Sequence, residues 1–277
     1  MALDKVVDSA ILDGALTATA NAIREKTGKT DKIVWDKTKG FSATVGEAYE
    51  AGKKAEYEAR WANILQSAYS MQNLFSGAGW NDSTFDPPYG TTITVDNYTD
   101  KKVYSLFYMS NIKDLKGICE RRNVKIDLSK AERIRQLITD SQITTFPTID
   151  TRGISDFNTF LFNATKLHTT ELILRDDGSQ KFSSGESFAN CVSLVSLKIH
   201  GTIGQDGFNV SSSTNLNKES HISIVNAFST AAEITATLSE AAVDKAFETS
   251  EGANDGITSA EWSALIATRP KVTIEYA

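Results

Sequence analysis

Few residues in this chain have the types and spacing that catalysis or metal binding requires. Its three histidines, His168, His200 and His221, are far apart, and none lies one helical turn from another histidine or a cysteine. A zinc site needs clustered ligands, so the sequence contains no zinc pattern. We therefore expect no metal and no cofactor, and we predict that each histidine lies at the surface or in a turn.

The motifs of the common enzyme classes are also missing from the sequence. There is no nucleophile elbow, no Walker A loop and no dinucleotide-binding fingerprint. The segments Gly201–Gly204 and Asp176–Gly178 indicate turns. Among the 35 acidic residues, none is singled out as part of a calcium loop or of a glycosidase carboxylate pair. The sequence predicts a protein that is not an enzyme, although it leaves a chance carboxylate pair open.

The two cysteines, Cys119 and Cys191, each lie beside apolar residues. A free cysteine usually behaves as a small buried hydrophobe, and two cysteines do not make a disulfide framework. Both are therefore predicted to be thiols in the core.

Composition limits the class of partner and the cellular location. The chain has 277 residues, 40% of them hydrophobic, and a net charge of -6. This balance argues against nucleic acid or an anionic membrane as the main partner. No apolar run approaches the ~20 residues of a membrane span. Acidic residues interrupt the first segment, so we expect no signal peptide, no membrane insertion, and a cytoplasmic protein or one that leaves the cell in a particle.

The residues that could contact a ligand are positioned by a repeated unit, best seen in Ser184–Ile199. Phe188 is an apolar anchor, and Leu197 and Ile199 alternate with polar residues as in a strand with one buried face. If Leu172, Leu174, Leu197 and Ile199 point inward, one outward face is formed by Glu171, Arg175, Ser196, Lys198 and His200. We predict that these five residues form the ligand surface.

Looser copies of this unit occur upstream. In Leu161–Leu174, Phe162 is placed with Phe188, and Leu172 and Leu174 with Leu197 and Ile199. The other copies are Leu106–Ile118 with Phe107, Arg135–Ile149 with Ile138, and Met71–Phe75 followed by a strand at Thr91–Val95. Strand-like pieces near Leu115, Thr145, Leu172 and Leu197 recur about every 25 to 30 residues. This predicts an α+β fold of stacked units; the alternative is a generic α+β domain.

The unit resembles the BspA-like branch of leucine-rich repeats. The matching residues are Gly185, Ser187, Phe188, Cys191, Leu194, Leu197 and Ile199, whereas the copies at Phe162 and Phe107 lack the cysteine. The resemblance implies a leucine-rich-repeat-like solenoid of short parallel strands over residues 71–277, and a function in binding a protein or a host-surface ligand.

The N-terminal region is predicted to be helical. Apolar residues lie on one face between Asp8 and Gly28, Thr30–Gly40 is a loop or short strand, and a second, charged helix runs from Phe41 to about Tyr69. The predicted divisions are an attachment module at 1–42, a charged linker or capping helix at 43–70, and the repeats at 71–277.

This region resembles the helical module that opens many tailed-phage and prophage tail or baseplate proteins. The match lies in Ala22–Gly28 and Gly40-Phe41, and Ala51–Trp61 resembles the linker helix before leucine-rich repeats in phage and gut-bacterial proteins. The resemblance implies a virion-associated structural protein that contacts other virion components through the module. The alternatives are a bacterial adhesin with the same repeats and a glycan-active enzyme.

The C-terminal third is predicted to close the repeats. We expect a helix over Leu216–Thr230, a strand over Ile234–Ser239, a helix over Ala241–Phe247, a helix capped by Ser259, and a last strand over Val272–Tyr276. Trp262 and Leu265 of the capped helix are predicted to face inward.

Overall fold

The computed structural model describes residues 40–66, 70–182, 186–247 and 259–277, together with four helical positions, Gly14, Thr17, Ala18 and Asn21. For residues 40–50 it describes the backbone alone. The predicted first helix lies mostly, and the loop at Thr30–Gly40 almost wholly, outside the described residues. The chain divides into two compact units, Met1–Ile64 and Leu65–Ala277.

Helix α1, Gly40–Gln66, agrees with the predicted second helix. Its surface carries an ion pair between Lys54 and Glu58, one turn apart at 3.7 Å, and both side chains are exposed. Such a pair contributes only a few tenths of a kcal/mol. The guanidinium of Arg60 lies 5.7 Å from the ring centroid of Tyr57, and Trp61 is buried. In the part of the chain that the structure describes, no helix has the length and apolar character needed to cross a membrane.

The unit Leu65–Ala277 is a mixed α/β structure of short parallel strands. Its strands are β1 (Thr92–Thr94), β2 (Lys102–Tyr104), β3 (Lys125–Asp127), β4 (Arg133–Arg135), β5 (Ile149–Asp150), β6 (Asp156–Phe157), β7 (Thr169–Ile173), β8 (Lys181–Phe182), β9 (Ser196–His200), β10 (Phe208–Asn209), β11 (Ile234–Leu238) and β12 (Val272–Tyr276). Its helices are α2 (Leu115–Arg122), α3 (Lys218–Ala227), α4 (Glu240–Phe247) and α5 (Ala260–Ala267).

The strands pair with partners that are not consecutive in the sequence. The parallel pairs are β1 with β3, β2 with β4, β5 with β7, β6 with β8, and β7 with β9. Up to β9, odd-numbered and even-numbered strands therefore belong to separate sheets, two of each kind, and the chain passes from one kind to the other before it returns. A fifth sheet among the described residues, β10-β11-β12, ends the unit and contains both kinds. None of the described sheets closes into a barrel.

Tight turns with two left-handed residues, four positions apart, recur along this unit. Positive φ angles occur at Asn73 and Gly77, Ser105 and Met109, Gln136 and Asp140, Thr159 and Asn163, and again at Asn190. A left-handed conformation costs a non-glycine residue about 1–2 kcal/mol, so its recurrence at matching positions shows that the surrounding structure imposes it.

Main-chain hydrogen bonds connect each of these turns to the next. The amide of Phe75 donates to the carbonyl of Leu106, and the amide of Phe107 donates to that of Leu137, both at 2.9 Å. Leu161 continues the series with a bond to Ser187. The turns thus satisfy one another's backbone groups, as strands do in a sheet.

The turns also determine which residues correspond from one repeated segment to the next, and this corrects the predicted alignment. Asn163 and Asn190 hold the same left-handed position, so Leu161, and not Phe162, corresponds to Phe188. The strands agree, because Thr170 pairs with Leu197, and Leu172 pairs with Ile199. The prediction had matched apolar residues by type, whereas the backbone conformation sets the register and accommodates a buried threonine at position 170.

The predicted strand near Leu115 is also wrong, because this segment forms helix α2. Asp114 caps the helix by accepting a hydrogen bond from the Gly117 amide at 3.0 Å, and Asn123 ends it in a left-handed conformation. These two caps stabilise a helix despite its weak apolar periodicity.

Phenylalanine rings fill much of the core of this unit. Phe75 and Phe107 stack with centroids 5.3 Å apart, and Phe157 and Phe182 stack at 4.6 Å. Phe188 is 1% exposed and contacts three further rings, those of Phe160, Phe182 and Phe208. Aromatic pairs of this kind contribute about 0.5–1.5 kcal/mol beyond the area they bury.

The C-terminal elements agree closely with their predicted positions. Asn217 caps helix α3, which is shorter at both ends than predicted, and Ser259 caps helix α5 by accepting from the Trp262 amide at 3.0 Å. Trp262 is buried, while Leu265 is only partly buried. Strands β11 and β12 lie in the segments predicted for them.

We expect Phe188→Ala to lower the free energy of unfolding by about 3–5 kcal/mol, because it empties a position between three rings. Phe162→Ala is the matched control: Phe162 is only half-buried, and we expect a loss of about 1 kcal/mol. Urea unfolding of both variants measures the difference. Equal losses would contradict the corrected register.

We expect Met109→Asn to stabilise the protein by about 0.5–1 kcal/mol. Met109 is 51% exposed and left-handed, so its side chain gains little from burial while its backbone is strained. Asparagine tolerates this conformation better and occupies the same turn position at Asn163 and Asn190. Asn190→Ala is the converse variant and should destabilise by about 1 kcal/mol; thermal unfolding measures both, and a destabilised Met109→Asn would refute the argument.

Candidate ligand surface on the odd-numbered strands

Strands β7 and β9 present an outward row of polar residues beside a buried row. Leu172, Leu197 and Ile199 are buried, and the residues between them are partly or fully exposed. In the register of the pair, Glu171 lies beside Lys198. The predicted alternation in β9 is confirmed, and Ser196, Lys198 and His200 lie on its outward side.

Glu171 is the centre of this row. Its carboxylate accepts hydrogen bonds from the His200 imidazole and from the hydroxyl of Thr148 at 3.1 Å, and Lys198 Nζ lies 3.4 Å away. Partial burial alone would raise the pKa of Glu171, but the bonds from His200, Thr148 and Lys198 outweigh it and hold the pKa below its ordinary value. Glu171 is therefore ionised at neutral pH.

Arg175, the fifth predicted surface residue, is engaged differently. Its guanidinium donates to the carbonyls of Arg152 at 2.6 Å and Gly153 at 3.0 Å. Its main-chain N–H donates to the side-chain oxygen of buried Gln180. The side-chain nitrogen of Gln180 in turn donates to two carbonyls of the preceding turn. Arg175 thus ties two turns together, while the other four residues lie on the strands.

A second ion pair lies at the end of strand β5. The guanidinium of Arg152 donates three hydrogen bonds to the Asp150 carboxylate, at 3.0 and 3.2 Å from Nε and 2.5 Å from Nη2. The bond from Arg152 lowers the pKa of Asp150 despite partial burial. Asp150 pairs in register with Ile173, so this ion pair borders the same outward face.

A groove of about 520 Å³ opens beside these residues. The groove is lined by residues of helix α2, of strands β1, β3, β5 and β7, and of the segments between them. The lining includes Lys116, Glu120, Lys125, Asp127, Pro147 and Ile173. Thr148 lines the groove and also bonds Glu171, so the groove and the charged row form one continuous surface.

The cysteine nearest this surface has low reactivity. Cys119 lines the groove but is buried, and burial, together with Glu120 and Asp114, raises its pKa to about 12. Cys191 is buried as well, and burial likewise raises its pKa to about 12. Both are free thiols in the core, as predicted, and a thiol with so high a pKa is a poor nucleophile at neutral pH.

The histidines are only partly as predicted. His168 and His200 are exposed, but His221 is fully buried, so its predicted surface position is wrong. It lies on the inner side of helix α3, where its Nδ1 bonds the Asn217 carbonyl at 2.9 Å. Among the residues that the structure describes, no group of three or more histidine, cysteine or acidic side chains could hold a metal ion.

Sequence reasoning missed the groove and the roles of Thr148 and Asp150. The caps Asp114 and Asn123 were the available signal for helix α2, which lines the groove. Thr148 follows Pro147 in a stretch that mixes threonine with apolar residues without regular alternation, and no pattern in the sequence marked it.

We expect the Glu171–Lys198 pair to contribute less than about 1 kcal/mol to stability, because the lysine side chain is 61% exposed. A double-mutant cycle with Glu171→Gln and Lys198→Gln, followed by urea unfolding, measures the coupling. A coupling above 2 kcal/mol would show that this row stabilises the fold and is not a free surface.

Comparison of the chain with protein-family models, with curated proteins and with solved structures finds no match in any of the three.

Proposed function

We propose that residues 71–277 form a leucine-rich-repeat-like solenoid that works as a non-enzymatic binding protein. The observation that carries this proposal is the series of left-handed turns, from Asn73 to Asn190, whose backbones bond one another in parallel. A unit of this kind leaves its backbone unsatisfied on either side until a neighbour stacks on it, as in repeat proteins.

The ligand surface in this proposal is the outward face of the odd-numbered strands. Lys198, His200, Glu171 and Ser196 supply charge and hydrogen-bonding groups, and the adjoining groove adds apolar contact through Pro147 and Ile173. A mixed surface of this type suits a protein or a host-surface ligand that carries both charged and apolar groups. Arg175 adjoins the face and holds the turn at Arg152 and Gly153 through hydrogen bonds to their carbonyls.

We place this binding protein in a phage or prophage tail or baseplate. The support is the resemblance of Ala22–Gly28 and Gly40-Phe41 to the module that opens such proteins. In this arrangement residues 1–42 attach to other virion components, and the repeats carry the ligand surface. The helical backbone of α1 between Gly40 and Gln66 fits the linker role that the sequence resemblance gives to Ala51–Trp61.

The binding role is tested with the full chain on a glycan array and on a panel of intact bacterial cell envelopes. We expect Lys198→Glu, which reverses the charge beside Glu171, to reduce binding at least tenfold. Lys181→Glu is the matched control, because Lys181 is exposed on β8 of the even-numbered strands. Equal retention of binding by both variants would reject this surface as the ligand site.

The virion role is tested separately by mass spectrometry of particles purified after prophage induction in the bacterium that carries the gene. We expect peptides of the chain in stoichiometric amounts in those particles. Their absence from particles, with the protein present in the cells, would rule out the tail or baseplate assignment and leave the binding role standing.

A further inference from the structure

A cluster of aromatic rings joins the C-terminal helices, and His221 lies in its middle. The imidazole of His221 in helix α3 lies 6.0 Å from the ring of Phe247, at the end of α4, and 5.9 Å from that of Trp262 in α5. The indole N–H of Trp262 donates to the hydroxyl of Tyr276 in strand β12 at 2.8 Å. Three helices therefore meet at one histidine, and the last strand joins the cluster through Trp262.

The hydrogen bonds of His221 determine its tautomer. Nδ1 faces the carbonyl of Asn217, which can only accept, so Nδ1 carries the proton. Nε2 is then the unprotonated nitrogen of a neutral ring. Its side chain is fully buried, and Nε2 has no hydrogen-bond partner among the described residues.

The charged groups on the surrounding elements form no ion pair with His221 in the described part of the chain. On strand β9, which packs against α3, Lys198 and His200 both contact Glu171. On α3 itself, Lys218 pairs with Glu261 of α5 at 2.6 Å, and its Nζ lies 5.4 Å from the Phe247 ring centroid. Glu219, also on α3, is exposed.

On α4, the charges of Glu240 and Asp244 interact with the Tyr276 hydroxyl. Burial, with a smaller contribution from these two carboxylates, raises the pKa of Tyr276. Lys245 contacts Asn215 at 3.5 Å. Of the described carboxylates, none lies within 4 Å of the His221 ring to receive a charge on it.

We propose that protonation of His221 at Nε2 makes the C-terminal end of the protein acid-sensitive, so that helices α4 and α5 separate from α3 while the strands up to β9 stay folded. The physical basis is the cost of a buried charge without a partner, which is several kcal/mol in a protein interior. Local opening of the C-terminal end avoids this cost, because it exposes the His221 ring to water.

The direction of the pH dependence follows from this burial. Burial lowers the pKa of His221, and the bond to the Asn217 carbonyl opposes it only in part. The folded end therefore binds its proton less readily than the open one. Its stability is complete above the ordinary histidine pKa of about 6.5 and is lost progressively as the pH falls below that value.

Hydrogen exchange of the full chain at pH 7.5 and pH 5.0, corrected for intrinsic rates, tests the proposal. For a single histidine that stays neutral in the closed state, the opening equilibrium increases up to about 30-fold over this interval. We expect that increase in the amides of α4 and α5, the helices that separate, with the amides of β7 and β9 unchanged. A uniform response along the chain would overturn the proposal.

His221→Phe provides the specific control, because it keeps an aromatic ring of similar size and removes the titrating group. We expect it to abolish the difference between the two pH values, whereas His200→Gln, on the exposed strand face, should leave the difference intact. Persistence of the full response in His221→Phe would refute the role of His221. If that variant fails to fold, ¹⁵N chemical shifts of the wild-type ring decide: a charged imidazole in a closed C-terminal end at pH 6 would equally refute it.

Discussion

The main-chain hydrogen bonds between successive left-handed turns are the interaction on which the rest of this structure depends. Each turn places its amide and carbonyl groups toward the turns before and after it, as the bonds from Phe75 to Leu106 and from Phe107 to Leu137 show. Buried backbone groups must find partners, so no turn is stable alone. The short strands, two or three residues in many cases, follow from this column of turns and could not form a sheet without it.

The side chains adapt to this backbone framework. At the position of Phe188 the other turns carry Leu161, Ile138, Phe107 and Phe75, all of them buried. The left-handed positions accept asparagine, aspartate, glutamine, serine, threonine and even methionine. Along the column, the amide of Asn190 bonds Asn163, which in turn bonds Asp140, so the exposed turn residues reinforce the backbone contacts.

Sequence patterns predicted elements and their faces correctly where a pattern has one physical cause. Alternation in Ser196–His200 correctly placed a strand face, and Ser259 correctly marked a helix start. The correspondence between units was one residue off at Phe162, because apolar residues are interchangeable in a core and only backbone conformation distinguishes their positions. His221 was misplaced because the prediction followed residue type, although His221 lies three and four positions before buried Ile224 and Val225 in helix α3. The groove depends on long-range packing of helix α2, which local patterns do not encode.

The segments between successive turns differ in length, and one of them contains helix α2. The distance along the chain between equivalent turn residues is 32 positions from Asn73 to Ser105, 31 from Ser105 to Gln136, 23 from Asp140 to Asn163 and 27 from Asn163 to Asn190. The step from Ser105 to Gln136 contains α2 and the step from Asp140 to Asn163 contains no helix, yet the turns bond each other in both cases. The differences in length therefore lie in the segments between the turns. Segments of different length can therefore connect successive turns while the turns keep the same backbone contacts.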